Sequence, residues 1–249
     1  MWRYYYTIIR NIFRIPVLVK TMENINKCGE ENPNKYNEEN NYRYVKENVV
    51  GVMQRTGNIK TEVFGTENLP NEGGYMMFPN HQGKYDAYGI ISVHEKPCTV
   101  VIDIEKSNYI LVKQIIDTLK GKRLDKKNNR QAMTIINEIA KEVKDGRRYI
   151  LFPEGWYDNK KKNSLAEFKA GCFKICLKSK VPIIPVALID MYKVYNSWEI
   201  GKITPQVHFL DPILYDEYKD MNTYEIAELV KTRIADKIKE VKCNEKKDN

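Results

Sequence analysis

The feature that most restricts the fold is an alternation, starting near Val49, of short apolar runs with longer amphipathic stretches. Runs of strand length stand at 60–64, 75–78, 98–102, 148–152, 183–188 and 206–209, and helical periodicity at 86–93, 109–119, 129–144, 168–178 and 223–242. Strands separated by helices are the pattern of a single α/β domain with a central, mostly parallel or mixed sheet flanked by helices. Pro70, Asn71 and Glu72 before Gly73 and Gly74 mark a turn into the second strand. The length of 249 residues suffices for one large core. A content of 42% hydrophobic and 30% charged residues excludes both a wholly disordered chain and a polytopic membrane protein.

Two of the apolar runs end alike. Tyr75-Met76-Met77-Phe78 leads through Pro79 to Asn80-His81, and Tyr149-Ile150-Leu151-Phe152 leads through Pro153 to Glu154-Gly155. Ligand sites of open α/β sheets lie beyond the carboxyl ends of strands, so neighbouring strands here would open His81 and Glu154 onto one crevice. Asp86 follows His81 by five residues, which on one helix would put the two on different faces. They meet only if Gly83 forms a turn and Asp86 begins the next helix. The carboxylate then fixes one imidazole nitrogen and leaves the other as a general base. Read by spacing alone, Asp86 is equally an ordinary helix cap. No Ser or Cys stands close by as a nucleophile, which favours direct activation of a substrate hydroxyl over an acyl-enzyme.

Residues 1–22 carry Arg3, Arg10, Arg14 and Lys20, which interrupt every apolar run short of a spanning helix. On a helix, Arg3, Thr7, Arg10 and Arg14 fall in an arc of roughly 60°. Trp2, Tyr5, Tyr6, Ile8, Ile9, Ile12 and Phe13 gather opposite. Such a helix lies in a membrane interface, with aromatics at headgroup depth and arginines on anionic lipid, or docks on the protein's own core. Trp2, Arg3, Tyr6, Arg10, Phe13 and Arg14 are the expected interface residues, and Pro16 is expected to end or kink the helix. Residues 23–48, rich in Asn and Glu, read as a polar linker, with some helix near 42–47. The body then spans 49–215, and 216–249 holds a C-terminal helix and a charged tail. A net charge of +8 fits an anionic partner or simply a lysine-rich composition. Five scattered cysteines argue for a reducing cytoplasm, and Cys172 and Cys176, four apart, read as packed on one helix face. His94 reads as a surface or packing residue, and His208 has no assigned role.

Asn80-His81-Gln82-Gly83-Lys84-Tyr85-Asp86 resembles the His-x-x-x-x-Asp motif of glycerolipid acyltransferases, the 1-acylglycerol-3-phosphate acyltransferase family. Further blocks follow in that family's order. The stretch 61–70 (TEVFGTENLP) resembles its lead-in strand, 121–126 (GKRLDK) its second block, Phe152-Pro153-Glu154-Gly155 its third, and 168–173 with 181–186 its fourth. The resemblance covers about residues 50–215. It implies acyl transfer from acyl-CoA or acyl-carrier protein to a lysophospholipid hydroxyl, lysophosphatidate first, in phospholipid biosynthesis. His81 would be the base and Asp86 its orienter, with backbone N–H groups near Gly83 or the fourth block as oxyanion donors. No metal or prosthetic group is implied, because a thioester is already activated. Asn80 would anchor the turn at the acceptor site, with Glu154, Gly155, Arg123, Lys126 and Tyr157 beside it. Pro182 and Pro185 would shape an acyl pocket or mark strand edges.

The chain departs from that family where Trp156 and Tyr157 replace Thr and Arg, and Lys126 replaces Arg. Tyrosine donates one hydrogen bond and lacks the forked charge of arginine. Arg123, Lys122 or 160–162 could compensate. The expectation is therefore an enzyme on the cytoplasmic face of a membrane, peripheral or monotopic, that forms phosphatidate. One alternative is an acyltransferase for another lysolipid or hydroxyl acceptor. Another is a catalytically silent membrane lipid-binding protein that keeps the fold. Nothing points to a nucleic-acid partner.

Overall fold

The computed structural model describes residues 2–29, 31–32, 34–196, 198 and 201–245. Residues 30 and 33 of the expected linker and 246–249 of the expected tail lie outside the described residues.

Helices α1 (Trp2–Arg10) and α2 (Ile15–Cys28) open the chain, joined by a turn. Pro16 sits in the first turn of α2, where its missing N–H costs nothing, so it starts a second helix rather than ending the first. The residues expected to link are instead helical. Helix α3 (Glu38–Tyr44) runs through a π-helical turn (Val45–Val50) into α4 (Gly51–Gly57). Tyr42, Val45, Val49, Val50 and Val52 are buried against the body, an apolar stripe at helical spacing inside a polar composition. Tyr42 seals this packing, its hydroxyl donating to Ile91 O (3.2 Å) and His94 O (2.9 Å).

Strand β1 (Glu62–Phe64) is followed by β2 (Tyr75–Pro79), α5 (Asp86–Val93), β3 (Thr99–Asp103), α6 (Val112–Thr118), β4 (Lys122–Leu124), α7 (Asn129–Lys144) and β5 (Arg148–Ile150). Then come α8 (Lys174–Ser179), β6 (Ile183–Ile189), α9 (Lys193–Asn196), β7 (Gln206–Phe209), α10 (Tyr215–Tyr218) and α11 (Thr223–Glu245). Strand β4, in the second block, is too polar and short to show in the sequence. The stretch expected as helix at 168–178 begins with a 3-10 turn, Ala170–Phe173. The two long helices start at side-chain caps. Asn128 Oδ1 accepts from Gln131 N (3.0 Å), and Asn222 and Glu225 bond reciprocally ahead of α11.

The sheet has seven strands in the order β1-β7-β6-β2-β5-β3-β4. Its ladders are parallel except β6 with β7. Side chains alternate between its faces. Tyr75, Met77, Ile184, Val186 and Leu188 join the core under α2 to α6. Met76, Phe78, Ile183, Ala187 and Ile189 join the core under α7, α8 and α11. Burial on both faces is why β2 and β6 read as unbroken apolar runs. Pro185 does not mark an edge. It lies inside β6 opposite Phe78 of β2, and its carbonyl accepts Leu210 N–H (3.0 Å). Pro182 stands just before the strand, and its carbonyl accepts Met76 N–H (3.1 Å).

Strand β2 is the switch point of this topology. The chain leaves it toward β3 on one side, and after β5 crosses it to β6 on the other. The carboxyl ends of β5, β2 and β6 therefore share one crevice.

Candidate active site

Strand β2 delivers Asn80 and His81 to that crevice. Asn80 is buried and clasps the end of β6, donating to Leu188 O (3.0 Å) and accepting from Leu188 N (2.7 Å). Its amide is thus spent on the sheet, which moves Asn80 from the expected acceptor contacts to the framework. Gly83 turns the chain, and Asp86 opens α5 with its side chain folded back. Asp86 Oδ2 accepts from His81 Nδ1 (2.7 Å), from Gly83 N (2.9 Å) and from Gln82 N. Asp86 is fully buried; these three donors take the place of water at Oδ2, while Oδ1 has no hydrogen-bond partner among the described residues. A carboxylate only accepts, so His81 carries its proton on Nδ1 and leaves the Nε2 lone pair free. Among the described residues Nε2 has no hydrogen-bond partner. The Gly83 N–H, expected as an oxyanion donor, is committed to Asp86.

The chain leaving β5 builds the walls. Phe152 stacks on the His81 ring (centroids 4.2 Å apart), and Tyr157 meets it edge-on (4.7 Å). Burial raises the Tyr157 phenol further above neutrality, so it stays an uncharged donor. Glu154 Oε1 accepts His81 N–H (2.8 Å), and Oε2 accepts Ala166 N–H (2.9 Å). Glu154 is only 3% exposed, and burial lifts its carboxyl above the ordinary value against the pull of those two N–H groups. Both its oxygens hold backbone, so Glu154 positions His81 where the sequence reading expects an acceptor contact. With Asp86 it engages the N–H groups of His81, Gln82 and Gly83 in succession.

The expected basic residues are also largely committed. Lys126 Nζ pairs with Asp103 (2.8 Å) and donates to Gly155 O, which brings the second block against the third. Arg123 is tied to Asp117 (2.6 Å) and Ser107 (3.1 Å) on the side of α6, away from an acceptor role. Lys122 pairs with Glu138 and Glu142. Lys160, Lys161 and Lys162 are exposed, with Lys161 over the Trp156 ring (5.3 Å). Sequence reasoning missed Phe152 as the stacking partner of His81. It also missed Asn163, whose Oδ1 accepts from Gln82 Nε2 (2.9 Å) while its Nδ2 donates to Asp190 Oδ1 (2.7 Å). Asn163 sits in an irregular loop that no periodicity marks.

Helix α1 adjoins the same loop. Lys84 Nζ lies over the Tyr4 ring (4.1 Å), and Tyr4 packs on Tyr195 (5.3 Å). Arg3 is 4% exposed and donates to Gly57 O (2.7 Å) and Gly201 O (2.9 Å), and Thr7 is buried beside it. Half of the expected basic stripe therefore faces the body, because a guanidinium can satisfy several carbonyls that apolar side chains cannot. Arg10 and Arg14 are exposed, and Trp2 is partly buried. The outward side carries Tyr5, Tyr6, Ile9, Ile12, Phe13 and Val17, with Phe13 91% exposed. Among the described residues no helix is long and apolar enough to cross a membrane.

Residues 60–189 match the family model described as Acyltransferase. The 1-acyl-sn-glycerol-3-phosphate acyltransferase of Saccharomyces cerevisiae (strain ATCC 204508 / S288c) is 26% identical over 196 residues, covering 76% of this chain and 63% of that protein. The alpha form from Mus musculus is 28% identical over 163 residues, covering 62% and 55%. The enzyme of the same name from Salmonella typhimurium is 28% identical over 189 residues, covering 74% and 76%. The chain thus spans just over half to under two thirds of the yeast and mouse relatives. The crystal structure of the 1-acyl-sn-glycerophosphate (LPA) acyltransferase, PlsC, from Thermotoga maritima superposes with a TM-score of 0.66 at 20% identity. It covers 95% of this chain and 98% of that one, a likeness of fold.

Proposed function

We propose that this chain, which belongs to the acyltransferase family, is an enzyme that acylates lysophosphatidate to phosphatidate, using acyl-CoA or acyl-carrier protein. The single observation that carries the chemistry is the 2.7 Å contact of His81 Nδ1 with Asp86, which leaves Nε2 free in the crevice. His81 Nε2 takes the proton of the acceptor hydroxyl, and Asp86 stabilises the imidazolium. The alkoxide attacks the thioester carbonyl, forming the C–O bond. Collapse of the tetrahedral intermediate breaks the C–S bond, and the imidazolium returns the proton to the departing thiolate. The similarity to 1-acyl-sn-glycerol-3-phosphate acyltransferases of yeast, mouse and Salmonella supports the acceptor.

The outward side of α1 and the following turn rest in the interface of an anionic membrane, on its cytoplasmic face. Exposed Phe13, Ile12 and Val17 support this reading, with Arg10 and Arg14 beside them. Tyr4, on the inner side, then brings the bilayer surface close to the catalytic loop. A second acceptor reading, another lysolipid, draws on Tyr157 standing at His81 in place of a charged residue.

The test is acyl transfer from labelled acyl-CoA and acyl-carrier protein to a panel of lysolipids, with wild type beside His81→Ala. We expect lysophosphatidate to be the best acceptor and the variant to lose about 100- to 10,000-fold in kcat/KM. Turnover confined to another acceptor would favour the second reading, and undiminished turnover in the variant would remove His81 from the chemistry.

A further inference from the structure

Position 157 beside His81 is an uncharged tyrosine, Lys126 is neutralised by Asp103, and Arg123 by Asp117. Besides Lys161, which lies over the Trp156 ring, Lys169 reaches this turn. The Lys169 ammonium lies 3.0 Å from the point a Cβ on Gly155 would occupy, and its Cε lies 3.2 Å from that point. Its main chain is held to the same turn, Lys169 N donating to Pro153 O (2.9 Å). The flanking Phe168 and Ala170 are buried, so residue 169 is anchored while its side chain stays exposed. Among the described residues no carboxylate stands within ion-pair distance of Lys169. Gly155 itself has φ +71, and any side chain there would both strain the turn and displace the ammonium.

The geometry points to Lys169 as the cation that recognises the phosphate monoester of the acceptor. The Lys169 ammonium lies against the bare face of Gly155, two residues before Tyr157, whose ring meets His81 and whose hydroxyl would be a neutral second donor. Glu154 and Phe152 of the same turn hold and cover His81, so the turn that carries the ammonium also carries the contacts to the proposed base. An ammonium is a point charge, which suits a terminal phosphate dianion without demanding a forked geometry. The inference rests on the phosphate-bearing acceptor proposed above.

The test uses the full chain in micelles of a neutral detergent. Lysophosphatidate and the monoacylglycerol of the same chain, which lacks only the phosphate, are titrated into wild type, Lys169→Ala, Lys169→Arg and Lys169→Ala combined with Tyr157→Arg. Binding is read as Kd, and turnover as separate kcat and KM. We expect Lys169→Ala to weaken lysophosphatidate about 10- to 100-fold in Kd and KM, the size of one lost charge-assisted hydrogen bond. Its kcat should stay close to wild type, and monoacylglycerol binding should not change. Lys169→Arg should retain most of the affinity, and Tyr157→Arg should restore much of it in the Lys169→Ala background. Wild type that prefers lysophosphatidate while Lys169→Ala binds it equally well would overturn the role of Lys169 and leave the acceptor reading standing. Wild type that binds both lipids equally would overturn the phosphate acceptor itself. Gly155→Ala is a check independent of residue 169, and unchanged lysophosphatidate affinity there would also count against the inference.

Discussion

Replacing Glu154 by Gln separates a group that positions His81, the proposed base, from one that touches the substrate. The carboxylate accepts two backbone N–H groups, from His81 at 2.8 Å and from Ala166 at 2.9 Å, inside a buried turn. Glutamine keeps one accepting oxygen and turns an NH2 toward the other N–H. A lost hydrogen bond to a charged group costs about 1.5–3 kcal/mol. Relief from burying a carboxylate offsets part of this, leaving a net loss of about 1–2 kcal/mol. For a chain of this length, Tm should fall by about 2–4 °C per kcal/mol. The functional effect follows from the displaced His81 backbone. A shift of about 1 Å in a catalytic group can cost roughly a hundredfold, so kcat should fall about 10- to 100-fold. The acceptor KM should move little, because no Glu154 oxygen is left to bind it. Steady-state kinetics against acceptor concentration, with thermal unfolding in parallel, measure both quantities. A raised acceptor KM with unchanged kcat would refute the positioning argument and return Glu154 to the acceptor's contacts.

Two further outcomes are expected. Changing Phe13 and Val17 to Ser should weaken cosedimentation with anionic vesicles by roughly 10-fold or more per side chain, since burying each contributes about 1.5–3 kcal/mol; unchanged sedimentation would reject the interfacial reading. Stability should also fall on acidification. His94 is buried, and that burial, with Arg148, Lys46 and Lys96 nearby, pushes its pKa down to about 4, against a rise from its hydrogen bond to Lys96 O. The unfolded imidazole binds its proton first, so stability is present above about pH 6.5 and drains as pH falls toward about 4, by up to about 1.4 kcal/mol per pH unit. Urea unfolding of wild type and His94→Gln should show a shallower slope for the variant in that window, and equal slopes would refute it.

The contact between His81 and Asp86 was legible because its geometry is local. Gly83 lies between His81 and Asp86, the first residue of α5, and a turn of that length brings the two side chains to 2.7 Å. Strands β2 and β6 were legible because burial on both faces leaves an unbroken apolar run. The helical stretch from Glu38 to Gly57 was hidden by Asn and Glu on its outward side, although Tyr42, Val45, Val49 and Val52 already carried the helical period. Strand β4 has no such run. Its three residues pair with Val101, Ile102 and Asp103, and the pairing rather than the side chains makes it a strand.

The sequence by itself determined the α/β alternation, the His81–Asp86 pair and an amphipathic amino terminus, since each depends on periodicity or spacing within a few residues. The tertiary structure alone decided what the other polar groups of the site are for. Glu154 holds a backbone N–H that lies 73 residues away, and Asn80 clasps Leu188 across 108. It also turned Arg3 inward, onto Gly57 and Gly201. A side chain's chemistry is written in its residue type, but the donor or acceptor it meets is set by which strands become neighbours. No local pattern records that, because the same carboxylate or guanidinium serves a substrate, a backbone or an opposite charge with equal chemical fitness.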